Sequence, residues 1–120
     1  MSQTRSLSDL TALATTFRDA RDWGQFHQPK DLTLALGIEA GELGELFLWK
    51  TRDEVAAALD EPAFRARVAD EIADVQLFLI YLAESTGIDI AEAVEHKLAL
   101  NEARYPAERS RGSARKHDEL

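Results

Sequence analysis

Glu39 and Glu42, and then Glu71 and Asp74, stand three residues apart within two stretches that otherwise read as buried helix. That spacing is close to one helical turn, so each pair projects from one side of its helix. Glu39 is flanked by Leu36, Ile38, Ala40 and Leu43, and the second pair by Val68, Ile72, Val75 and Phe78. The acids interrupt apolar stripes; they do not lie opposite them. Carboxylates on a core-facing stripe are costly unless something cationic meets them. Oxygen ligands from two neighbouring helices suit a hard divalent cation, Mg²⁺ with Mn²⁺ as a substitute. The competing reading is a solvated acidic face. A single E-x-x-E is a weak signal; its recurrence on a second helix raises the metal to an even match with the solvated face. Glu45, three residues beyond Glu42, is a further ligand or an outer base, whereas Asp70 points elsewhere and reads as surface charge. A di-iron bundle would need Glu-x-x-His pairs; His27, His96 and His117 do not follow a Glu at that spacing.

The elements that must position these acids are helical. Leu7, Leu10, Leu13, Ala14 and Phe17 mark a first helix capped by Ser6 or Ser8 and running to about Arg21. A loop from Asp22 to Lys30 follows, punctuated by Gly24 and Pro29 and unusually aromatic, with Trp23, Phe26 and His27. Asp31 is a plausible cap for a second helix, Leu32 to about Lys50. Gly37, Gly41 and Gly44 within it suggest a close helix approach or room for a ligand. Thr51 to Glu61 is polar with a short helical turn at Val55–Leu59; a third long helix then runs from Pro62 to Thr86 and stops at Gly87. Its part from Val75 to Ala83 is apolar nearly all round, which in a short chain points to burial in an oligomer. Asp89 caps a fourth helix, Ile90 to about Ala103, and Pro106 stops it. The expected fold is all-α, a four-helix-bundle-like subunit over residues 1–106 with a basic tail, 107–120.

Composition narrows the function. One domain of 120 residues can bury a core without staples. With no cysteine, neither a disulfide nor a thiolate metal site is available. A net charge of −8 argues against nucleic acid and anionic membrane as partners. No apolar run is long enough to span a bilayer, and Met1–Leu10 lacks a leader pattern. The closing His117-Asp118-Glu119-Leu120 spells a retention address that has no use without a leader, so the expected location is cytoplasmic.

Five segments carry a family resemblance: FRDARDWGQFHQPK from Phe17, EAGELGELFLWK from Glu39, DEIAD from Asp70, KLALNEARYP from Lys97 and RSRGSARKHDEL from Arg109. With its E-x-x-E and E-x-x-D pairs, the chain resembles the all-α nucleotide pyrophosphohydrolases of the MazG-like superfamily, and within them the dCTP pyrophosphatase group. The resemblance implies Mg²⁺-dependent cleavage of a nucleoside triphosphate between the α and β phosphates, foremost dCTP or a modified dCTP, in nucleotide-pool sanitation. It implies Glu39, Glu42, Glu71 and Asp74 as metal ligands and Trp23, His27 and Trp49 around base and sugar. It also implies Lys97, Asn101, Arg104 and Tyr105 facing the nucleotide, Arg109 and Lys116 approaching the phosphates, and a homotetramer (a dimer of dimers) or a homodimer.

The residues bear readings of their own beside the resemblance. Trp23 and Trp49 are either core aromatics or stacking faces for a base. Lys97, Asn101 and Arg104, spaced i, i+4 and i+7, form either a solvated stripe or one side of a polar site. Attack of water on phosphorus needs a base, and Glu42 or Glu45 is the expected catalytic carboxylate. The rivals are a related dUTP or other triphosphate pyrophosphatase, and a non-enzymatic helical oligomerisation module whose acids merely bind cations.

Overall fold

Local chemistry sets the helix ends. Ser6 accepts a hydrogen bond from the Asp9 amide at 3.1 Å while the Asp9 carboxylate accepts one from the Ser6 amide at 3.0 Å. This reciprocal box starts α1, Leu7–Asp19. Pro29, whose fixed φ suits the first helical position, starts α2, Pro29–Glu45. Thr51 caps α3, Arg52–Leu59, through the Glu54 amide. Pro62 opens α4, which runs to Thr86 and ends on Gly87 at φ +72°, a left-handed stop that glycine adopts without strain. Asp89 caps α5, Ile90–Arg104, and a short α6, Ala107–Ser110, follows Pro106. Turns of 3₁₀ helix occupy Gly24–Phe26 and His117–Glu119. This computed structural model describes residues 4–119, in which there is no strand: the fold is all-α. Met1–Gln3 and Leu120, on which the readings of the two termini partly rest, lie outside the described residues.

The chain forms two compact units, Met1–Gly87 and Ile88–Leu120. In the first, α1, α2 and α3 all pack on α4, α2 most extensively. The buried residues are Ala14, Leu32, Val68, Ile80 and Tyr81. Burying each aliphatic side chain is worth roughly 2 kcal/mol, so these few residues hold the helix pairs together. The Tyr81 hydroxyl adds direction, donating to the Ala14 carbonyl at 2.9 Å and fixing α1 on α4. The second unit is α5, α6 and the closing turn, in which the Tyr105 ring meets the His117 ring edge-on at 5.8 Å.

Several expectations shift. The second helix begins three residues early, because Pro29 is its first residue and no mere loop punctuation; Asp31 then sits in the first turn, where its charge favours the helix N-terminus, and does not serve as the cap. Regular α-helix ends at Glu45, and Leu46 to Trp49 continue as turns. The turn expected at Val55–Leu59 is an eight-residue helix. A side chain added at Gly37, Gly41 or Gly44 would meet open space, so among the described residues they serve no close helix approach, and the alternative of room for a ligand stands.

Tyr81→Phe should lower stability by about 1 kcal/mol, a fall of about 4 °C in melting temperature, without loss of helical circular dichroism. An unchanged melting temperature would show that the hydroxyl bond to α1 contributes nothing.

Candidate metal centre

Glu39 and Glu42 are presented by α2 and Glu71 by α4, the best-packed helix pair of the first unit. One carboxylate oxygen from each lies within 4.8 Å of the other two. Glu39 and Glu71 are half-buried and Glu42 is exposed. One oxygen of Glu39 and one of Glu71 (Oε2 in each) are buried without a hydrogen-bond partner. Buried polar atoms are ordinarily satisfied, so these two call for a cation or water.

The charges confirm the crowding. Burial first, then a hydrogen bond with Glu42 and the charges of Glu42, Asp74 and Glu71, push the Glu39 carboxyl above its ordinary value. Glu71 is pushed up by burial, then by Glu42, Asp74 and Asp70, with Arg67 pulling the other way. Asp74 is thus near enough to act on both, although its oxygens are not part of the tight group of three. Hard anionic oxygens without imidazole or thiolate fit Mg²⁺ or Mn²⁺.

A cavity of about 460 Å³ opens beside the cluster, lined by Glu42, Glu45, Leu46, Lys50, Phe64, Arg67 and Glu71. Glu45 therefore shares one space with two members of the cluster. Lys50, Phe64 and Arg67 are not among the site residues expected from the sequence, although Lys50 closes one of the segments that carry the resemblance. The available signal was the i, i+4 spacing of Arg67 and Glu71, which puts a cation on the acids' side of α4.

The aromatic candidates do not line this cavity. Trp23 packs edge-on against Phe17 at 5.8 Å, and the Arg21 guanidinium lies 3.7 Å from the Phe17 ring centre. The His27 ring rests on Tyr81 at 4.5 Å, and its buried Nδ1 has no partner. Burial, and then the charge of Arg18, lower the His27 pKa, so the imidazole is neutral near pH 7. Trp49 is 91% exposed and sits at φ +65°, a left-handed conformation costing a bulky residue roughly 1–2 kcal/mol. Neither role of a core aromatic, burial or ring packing, is met by Trp49 among the described residues. In the second unit, Lys97, Asn101 and Arg104 lie on α5 with Tyr105 as its final cap, Arg109 is on α6, and Lys116 precedes the closing turn. Asn101 and Tyr105 are half-buried; Lys97, Arg104, Arg109 and Lys116 are exposed.

Residues 34–120, which include all four acids, match the model of the MazG-like family. The chain belongs to that family. It is 44% identical to dCTP pyrophosphatase 1 of Homo sapiens over 115 residues, covering 96% of this chain and 68% of the human protein. The Bos taurus dCTP pyrophosphatase 1 is 43% identical over the same shares. Among solved structures, a pyrophosphatase from Archaeoglobus fulgidus superimposes with a TM-score of 0.78 at 34% identity, covering 88% of this chain and 97% of that one.

A titration follows from the raised carboxyls. Because Glu39 and Glu71 bind protons more tightly folded than unfolded, their contribution to stability is complete below about pH 4.5 and is lost as pH rises through their higher folded values. Above that window the charges repel, and a bound divalent cation would relieve them. The Mg²⁺-induced rise in melting temperature should therefore grow from acid to neutral pH. In Glu71→Gln the metal-free protein should be more stable at neutral pH and the response to Mg²⁺ smaller. Melts with and without Mg²⁺ across the window decide this; a response independent of pH would contradict it.

Proposed function

We propose that this MazG-like chain is a Mg²⁺-dependent nucleoside triphosphate pyrophosphohydrolase that converts dCTP or a modified dCTP to the monophosphate and pyrophosphate. The observation that carries the reading is the convergence of Glu39, Glu42 and Glu71, with two buried unpartnered oxygens, beside an open cavity. The dCTP assignment draws on the names of the relatives that the chain resembles over nearly its whole length.

In this reading Glu39, Glu42 and Glu71 hold the cation, and Asp74 completes the set. Bound Mg²⁺ supplies charge neutralisation for the triphosphate and acidifies water. The chain's own part is positioning and proton transfer. Glu42 or Glu45 takes the proton of a water whose oxygen attacks the α phosphorus, and the bond to the bridging oxygen breaks to release pyrophosphate. Trp23 and Trp49 offer faces on which a base stacks, and neutral His27 offers a contact to base or sugar. An exposed tryptophan in a strained conformation is better explained by a ligand or neighbour than by the packing of a single chain. Lys97, Asn101, Arg104 and Tyr105, with Arg109 and Lys116 of the 107–120 tail, are the further nucleotide contacts of the assembled enzyme. Clearing unwanted nucleotides from the pool would place it in the cytoplasm. No described helix is long and apolar enough to cross a membrane.

The subunit, four-helix-bundle-like over residues 1–106, is proposed to assemble as a homotetramer, a dimer of dimers, or as a homodimer. Leu34, Ile38 and Ile72 are exposed, and an apolar groove of about 680 Å³ runs between α1 and α4 past Leu13, Phe17 and Leu77. Exposed apolar side chains beside an apolar groove support the association reading. Light scattering should give a multiple of 13.4 kDa; a single-chain mass would refute the assembly.

Incubation with a panel of nucleoside triphosphates and Mg²⁺, followed by separation of products, tests the reaction. Monophosphate and pyrophosphate are expected, fastest from deoxycytidine substrates. Glu39→Gln should lose about 100-fold or more in turnover at unchanged helix content. Diphosphate and phosphate as products, or no turnover on the whole panel, would overturn the reading, the second outcome favouring a cation-binding scaffold.

A further inference from the structure

The cavity beside the acids also holds two cations. Arg67 stands one turn before Glu71 on the same side of α4, and Lys50 follows the left-handed Trp49 at the end of the α2 turns. The Lys50 ammonium lies 5.5 Å from the centre of the Phe64 ring, and Phe64 packs edge-on against Phe47 at 5.9 Å. The edge-on rings tie the turns after α2 to the start of α4, and the ring face gives the ammonium a resting place at the cavity wall. Although Glu42, Glu45 and Glu71 line the same space, neither Arg67 nor Lys50 forms an ion pair with them. Among the described residues the salt bridge formed is Arg18–Asp19, on α1.

Opposite charges that share a cavity without closing on one another leave both available to a third group. The acids are matched by a metal ion; the cations are matched by an anion. An anion drawn to the same cavity as a divalent cation, with several charges and forked oxygen acceptors, is a polyphosphate. A guanidinium meets phosphate through paired donors, and an ammonium meets it as a point charge.

We propose that Arg67 and Lys50 bind the pyrophosphate moiety of the triphosphate, the part that becomes the leaving group. This rests on the pyrophosphohydrolase reading above. The leaving moiety carries most of the triphosphate's charge, and that charge increases as the α–β bond breaks. Cations placed there therefore hold the substrate and also stabilise the departing group. Phe64 is a positioning residue, acting through Lys50.

Binding of inorganic pyrophosphate with Mg²⁺, measured by calorimetry on the full chain, tests the assignment apart from turnover. Arg67→Ala should weaken pyrophosphate about tenfold or more, Lys50→Ala somewhat less, and Arg67→Lys should recover part of the loss. Binding of deoxycytidine monophosphate should change less than twofold, and the stabilisation by Mg²⁺ alone should be retained. Arg67 is exposed, so its replacement leaves the core intact. Equal pyrophosphate affinity in wild type and Arg67→Ala, equal weakening of monophosphate, or no pyrophosphate binding by the wild type would each overturn the assignment. A wild type that binds pyrophosphate through Arg67 yet releases none from any triphosphate would overturn the hydrolase reading instead, and leave a pyrophosphate site standing.

Discussion

Repulsion among carboxylates is the constraint on which the first unit depends. Glu39, Glu42 and Glu71 are brought within contact range by the packing of α2 on α4, with Asp74 close behind. Apolar burial at Leu32, Val68 and Ile80 draws the helices together in spite of that charge. The same packing that builds the core therefore stores an electrostatic cost at the acids. A cation at the two buried, unpartnered oxygens would offset that cost.

The structure around the acids is arranged to keep that space open. The chain leaves α2 through a run of turns, reverses at Trp49 and is fastened by the Phe47–Phe64 contact to the start of α4. Lys50 and Arg67 then stand in the cavity with Glu42, Glu45 and Glu71 without neutralising them. A closed set of ion pairs would make a stability device. Separated charges of both signs around a cavity instead suit the metal ion and accompanying anion proposed for it. Trp23 and His27 occupy a different part of the first unit, packed on α1 and α4. A ligand touching both regions would need an apolar and a highly charged end, as a nucleotide has.

Much of this was legible in the sequence. The third long helix was read to its ends because its punctuation is unambiguous: Pro62 suits a first position and Gly87 a left-handed stop. The two acidic pairs were legible because they break apolar stripes, and three of the four acids converge. The start of α2 was misplaced because proline both ends loops and begins helices, and only the preceding backbone decides which. The glycines of α2 suggested a close helix approach or room for a ligand; among the described residues they face open space, which removes the first and leaves the second, because small residues mark closeness only where a neighbour exists. Lys50 and Arg67 were missed for a different reason. Cations near acids on a helix usually form solvated pairs, and their failure to pair is a property of three dimensions. The stacking of Phe64 beneath Lys50 likewise joins residues that no local pattern links.

The most direct test of the central claim is anomalous diffraction from crystals grown with Mn²⁺, which locates the ion independently of any turnover. The account predicts a peak at coordination distance, about 2.2 Å, from carboxylate oxygens of Glu39, Glu42 and Glu71. Manganese bound elsewhere on the chain, with these three carboxylates left to water, would contradict it.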